Sequence, residues 1–360
     1  MNFNNSKKRD SNIELLRLLA GCSVVILHFN YFGEGVGALY SAKGINYSIL
    51  FYLEILCVPA VNVFILISGY YNSFSKEIKW YKLFKICAQL IIFNLIYKII
   101  QSIINKHIDI KGILLSFLPN NYYVVLYVTL MLIAPFINLL IDKLSYKDTK
   151  ILLVLLISIF SIYTILTEVF NEISFHISNG ISPIGISGAD SGYTIINFIL
   201  VYLIGVYLRK YGTPIKKQSH IILLILFCQI IILLWRILLP NTAFYYCNPF
   251  IIGEAFFLFK LFLGLKISNK LINYIAPASF TCFLIHGWIL SRFSFDNIVE
   301  KNSFLMLLIL SGIIILVYII SIILMKLWDC FFYYIFRKTK ESHRIYIGVD
   351  YEKENNMPFD

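Results

Sequence analysis

The stretch Ile13-ELLRLLAGCSVVILHFNYF-Gly33 is an apolar run interrupted in its interior by Arg17 and His28. A bilayer-spanning helix takes about 20 mostly apolar residues, and this run is long enough. Lys7-Lys8-Arg9 in front of it imitates the charged start of a signal peptide. The two buried polar residues, the want of a small-residue cleavage site and the many apolar runs that follow argue for a retained first span instead.

Working outward, the whole chain has the same character. Its 360 residues are 59% hydrophobic and 14% charged, with mean hydropathy +0.77. Soluble domains are about 45–50% apolar and about 25% charged, so the excess reads as protein dissolved in lipid. The formal net charge is +11. In a soluble chain that would raise nucleic acid as a partner; here the expected partner is the bilayer, with the cations in cytoplasmic loops. Five of the seven cysteines fall inside apolar runs, and no CxxC or His/Cys cluster suggests a metal site. They read as small packing residues.

Hydropathy predicts an all-α polytopic membrane protein with about ten transmembrane helices, near 13–33, 48–72, 84–105, 121–141, 150–170, 193–209, 219–239, 248–266, 271–293 and 303–326. Alternate loops are basic: Lys76, Lys79, Lys82 and Lys85; Lys143, Lys147 and Lys150; Arg209, Lys210, Lys216 and Lys217; Lys266 and Lys270. The intervening loops are poor in cations. The positive-inside rule then places both termini in the cytoplasm. Residues 1–336 form the transmembrane domain and 337–360 a short charged cytoplasmic tail. The longest external loop, 171–192, carries Gly, Ser, Pro, His176 and Asp190.

An ionisable side chain inside a span costs several kcal/mol and is a functional candidate by default. Arg17 and His28 are eleven residues apart, so they share a face of one helix at about 16 Å axial separation. Topology brings His286 of the ninth span and Glu54 of the second to the depth of His28. Glu254 reads as an interfacial residue near the outer end of span eight. Bland readings stand beside these: Arg17 snorkelling to the membrane edge and His28 in a helix–helix hydrogen bond. A neutral imidazole serves as a general base near pH 7.

At these residues the sequence resembles the acyltransferase-3 family of membrane acyltransferases. The shared motifs are Arg17-LLAGCSVVIL-His28, Asn62-VFILI-Ser68-Gly69, the basic entry Lys79-WY-Lys82-LF-Lys85, Tyr202-LI-Gly205 with Arg209-Lys210, and Ser279-FTCFLI-His286. They cover about residues 10–330. Lysines stand in the basic segment where many members have arginines, and one Phe precedes Ser68-Gly69 where a pair is common. A small-residue helix contact is the alternative for that dipeptide.

The resemblance implies acetyl-CoA as co-substrate, with no permanently bound cofactor or metal, and a hydroxyl of an extracytoplasmic carbohydrate as acceptor. It implies a bacterial cytoplasmic-membrane location. Within it, His28 is the catalytic residue, supported by His286 and Glu54. Arg17, Lys82 and Lys85 face the acyl-CoA phosphates, and Ser68, Gly69 and Asn62 line the site. Direct transfer and transfer through His28 both stay open. Tyr122 and Tyr123 suit either sugar stacking or interfacial anchoring. A homo-oligomer is compatible with the sequence. The rival readings are a lipid-linked sugar transporter or flippase, for which repeated halves or broken helices are expected, and a polysaccharide polymerase, for which a large external loop with arginine is expected; 171–192 has none.

Overall fold

Apolar runs closed by polar caps set the helices. The computed structural model describes residues 9–119, 121–174, 182–185, 188–212 and 217–347, with side chains through Ile335. His176, Lys216 and the end of the tail lie outside the described residues. The chain opens with α1 (Ser11–Asn30), α2 (Ala38–Ser41), α3 (Gly44–Cys57) and α4 (Ala60–Asn72). Then come α5 (Trp80–Ile104), α6 (Ile110–Leu115), α7 (Tyr122–Lys143) and α8 (Tyr146–Ile157), a π-helical turn at Ser158–Tyr163, and α9 (Thr164–Ile173). The second half holds α10 (Ile195–Tyr211), α11 (Gln218–Leu238), α12 (Pro249–Leu263), α13 (Lys270–Ile275), α14 (Ser279–Leu290), α15 (Phe295–Val299) and α16 (Ser303–Ile347).

Side-chain caps fix several starts: Asn121 accepts from Val124 N at 3.1 Å, and Thr194 from Asn197 N at 3.2 Å. Each such cap is worth about 1 kcal/mol. Asp109 starts α6 the same way, accepting from Gly112 N at 2.8 Å and from Lys98 Nζ at 3.1 Å. Those two donors hold its carboxyl below the usual carboxylate range.

Eight helical stretches are long and apolar enough to cross a membrane, beginning at Ser11, Gly44, Trp80, Tyr122, Tyr146, Asp190, Gln218 and Ser303. Their outer faces carry exposed Ile99, Phe136, Leu155, Phe227 and Ile315, as lipid contact requires. The expected spans 248–266 and 271–293 are different. The first is α12, 15 residues, about 22 Å against a hydrocarbon thickness of about 30 Å. Its chain has already entered the bundle: Thr242, Ala243, Cys247 and Asn248 of the preceding loop are 0–2% exposed. The second is broken by a 3-10 turn at Ala276–Ala278, where Pro277 supplies no N–H. α14 is therefore only 12 residues.

The core is built on α4 and α10. A Cβ on Gly69 would lie 2.1 Å from Tyr202 O, and one on Gly205 2.4 Å from Leu66 O. Only hydrogen fits at either position, so the two backbones touch. Tyr202 Oη donates to buried Asn138, whose Nδ2 donates to Asn72 O and Ser75 O at 2.7 and 2.9 Å. This ties α7 to the end of α4.

The basic loops gather at one end of the bundle, the end where α1 begins. Tyr71 Oη donates to Asp10 at 2.7 Å, and Asn12 Nδ2 to Phe262 O at 3.0 Å. Lys76 and Lys210 share Asp142, Arg209 meets Tyr70 Oη at 3.0 Å, and Lys85 meets Asp329 at 2.5 Å. At the far end, Asn46 Nδ2 donates to Val299 O and Lys301 O at 2.8 Å each.

Candidate functional site

α1 and α14 run side by side because small residues let them approach. Ser279 Oγ donates to Arg17 O at 3.3 Å, and Cys282 Sγ lies 3.9 Å from Gly21 O. Tyr318 of α16 pins the pair, donating to Leu18 O at 2.9 Å. The result brings His28 and His286 into ring contact, centroids 4.4 Å apart and edge-on at 66°. The shared depth read from topology is thus a direct contact.

Each ring faces the carbonyl one helical turn back. His28 Nδ1 lies 3.0 Å from Val24 O, and His286 Nδ1 3.2 Å from Cys282 O. A carbonyl only accepts, so Nδ1 carries the proton in both neutral rings. Each Nε2 therefore keeps its lone pair.

At the basic end, Arg17 lines a cavity of about 460 Å³. Lys82, Lys85 and Ser68 line it too. Two of these cations already have carboxylates: Arg17 meets both oxygens of Glu14 at 3.0 Å, and Lys85 meets Asp329. Deeper in, Gln89 Nε2 donates to Thr281 Oγ1 at 3.0 Å across the cavity wall. Phe283 also lines the wall, and its ring is 4.8 Å from Tyr123 and 6.0 Å from His286. The cavity therefore stops one aromatic ring short of the imidazole pair.

The other expected site residues fall differently. Glu54 is buried but pairs with neither imidazole; its Oε2 accepts from Asn30 Nδ2 at 2.8 Å. Ser68 and Gly69 divide, one on the cavity and the other against α10, because successive helical residues point about 100° apart. Asn62 does not line the cavity. It donates to Tyr246 O at 2.9 Å and accepts from Asn197 at 3.4 Å, anchoring the inward loop. Glu254 is not interfacial: it is 0% exposed and accepts from Gln229 at 2.8 Å. Its helix begins inside the bundle, so its place near a span end misleads.

Three features escaped the sequence reading. Asn30 was visible as a polar residue two positions past His28. Asp329 and Arg236 carried no local signal, since their partners are far away in sequence. Arg236 Nη2 approaches Tyr31 Oη at 3.4 Å, and its guanidinium lies 5.1 Å from the Phe244 ring.

A family model described as an acyltransferase domain, of the acyltransferase-3 type, matches residues 10–328. No curated protein and no solved structure matches the chain.

Proposed function

The chain belongs to the acyltransferase-3 family of membrane acyltransferases, and from that premise we propose that it moves a short acyl group, acetyl by default, from cytoplasmic acyl-CoA to a hydroxyl of an extracytoplasmic carbohydrate. The observation that carries this reading is the imidazole pair with free Nε2 atoms, standing above a cavity with cations at its mouth.

In this reading the basic end faces the cytoplasm, consistent with the positive-inside rule. The CoA phosphates lie against Lys82, Lys85 and Arg17. Lysine holds phosphate as a point charge, which suits a ligand entering from water. The pantetheine arm extends past Phe283 towards His28. Arg17 and His28 are about 16 Å apart along the helix, a span such an arm covers.

The acceptor hydroxyl attacks the thioester carbonyl while His28 Nε2 takes its proton. The tetrahedral intermediate collapses, the C–S bond breaks, and the imidazolium returns the proton to the CoA thiolate. His286 is a positioning residue: its ring edge fixes the orientation of His28. Burial of His286 against His28 inside the bundle keeps competing water away, so the thioester is spared hydrolysis.

The test is His28→Gln in purified full-length protein, with CoA binding and acyl transfer measured separately. General-base removal is expected to lower transfer by about 10²–10⁴-fold while CoA still binds. Undiminished transfer would remove His28 from the mechanism.

A further inference from the structure

Resting on the acyl-transfer reading, a second site emerges at the far end, around Arg236. Arg17, Lys85, Lys98 and Lys210 each meet a carboxylate within 4 Å. Among the described residues, Arg236 meets none. It is nevertheless only half-exposed. One side of its guanidinium reaches the carbonyl of Pro240, and the other meets Tyr31 Oη at a long 3.4 Å. A neutral hydroxyl at that distance is a weak partner for a cation. The Phe244 ring 5.1 Å away holds the group in place.

The position matters as much as the charge. Tyr31 is three residues beyond His28 and caps the end of α1, its N–H donating to Leu27 O at 2.9 Å. Asn30 between them is locked by Leu50 O at 3.0 Å and Glu54 at 2.8 Å. The loop that gives Arg236 its Pro240 and Phe244 contacts also carries Tyr246, two residues past Phe244.

Aromatic rings complete the surface. Tyr122, Tyr193 and Tyr246 form a run with centroids 4.6 and 4.9 Å apart. Tyr122 and Tyr193 are exposed. Tyr246 is held rigidly, its N–H on Ser191 O at 2.8 Å and its carbonyl on Asn62. Gly192 beside it has φ +83°, and a Cβ there would lie 2.5 Å from Cys247 N. The turn therefore requires glycine, and its shape is fixed before any ligand arrives.

We propose that this cluster is the acceptor site and that it takes a saccharide bearing an anionic group. Arg236 holds the anion in place of the Tyr31 hydroxyl, and the Tyr122–Tyr193 rings stack on the sugar face. A planar guanidinium binds a carboxylate or phosphate through two parallel hydrogen bonds. A sugar held this way presents a hydroxyl to the end of α1 that carries His28.

The experiment is ligand-dependent thermal stabilisation of the detergent-solubilised full chain. The probes are methyl glucuronide, glucose 1-phosphate, uncharged methyl glucoside, and CoA. The wild type is expected to respond to one or both anionic sugars at concentrations where methyl glucoside does nothing. Preference between the two anionic probes separates a uronic acid from a sugar phosphate. Arg236→Gln is expected to weaken the anionic sugars by about tenfold or more, with the CoA response unchanged. Arg236→Lys, which keeps charge without the paired donors, is expected to fall between.

Equal responses to charged and uncharged sugars, no response to any sugar, or an anionic response indifferent to Arg236→Gln would overturn the proposal. If Arg236 only closes the end of α11, its loss lowers the unliganded melting temperature without changing the ligand response. A lost CoA response with the sugar response intact would sink the acyl-transfer reading and leave this site standing.

Discussion

Replacing Asp329 by asparagine is expected to strengthen binding of the acyl donor. Asp329 Oδ1 sits 2.5 Å from Lys85 Nζ on the wall of the cavity, with side chains 48% and 31% exposed. An incoming phosphate must displace that carboxylate before it reaches the lysine. Ion pairs of this exposure are worth about 0.2–1 kcal/mol, which is about 1.4–5-fold in a dissociation constant. Asp329→Asn should therefore lower the acyl-CoA KM by that factor at low salt. The gain should shrink as ionic strength rises and the Debye length falls to about 8 Å. In a Lys85→Ala background the same change should do little, because the pair is already broken. The assay is initial transfer rate against acyl-CoA concentration at two salt concentrations, for the wild type, both single variants and the double. A raised or unchanged KM in folded Asp329→Asn protein refutes the argument. An equal gain in the Lys85→Ala background refutes the route through Lys85.

Two further outcomes follow from packing. Gly69→Ala puts a methyl 2.1 Å from a backbone carbonyl and should destabilise the bundle by about 1–3 kcal/mol; an unchanged melting temperature in detergent would contradict the α4–α10 contact. Burial pushes the Cys247 thiol up to about 12. Thiolate, the reactive form, is then negligible at neutral pH and appears only as pH approaches that value. Peptide mapping after maleimide treatment of folded protein at pH 7.5 should find exposed Cys330 modified and Cys247 untouched; prompt labelling of Cys247 would count against the inward loop.

Hydropathy located the long helices well because lipid contact imposes an apolar run of fixed length. The apolar runs 248–266 and 271–293 fold as shorter helices than expected, one of 15 residues and one divided at the turn that holds Pro277. Depth was legible too: counting residues from span ends brought His28 and His286 to one level. Rotation about each helix axis was not, so Glu54 shared the level yet turned to Asn30. Ser68 and Gly69 show the same limit, adjacent in sequence and facing different neighbours. The Arg17–Glu14 pair is three residues apart and could be read along one helix. The Lys85–Asp329 pair is 244 residues apart and needed the fold.

The contact between His28 and His286 also fixes when the protein becomes complete. About 260 residues separate the two rings in the chain, and at ordinary rates of synthesis they take roughly 13–50 s to make. Through that interval the first span waits in the bilayer with its imidazole unmatched. The matching helix, α14, has only 12 residues and depends on its neighbours to stay in place. Tyr318, made later still, then bonds to Leu18 and fastens the first helix to the last. The nascent chain thus stays without its imidazole pair until nearly all of its membrane domain has been delivered.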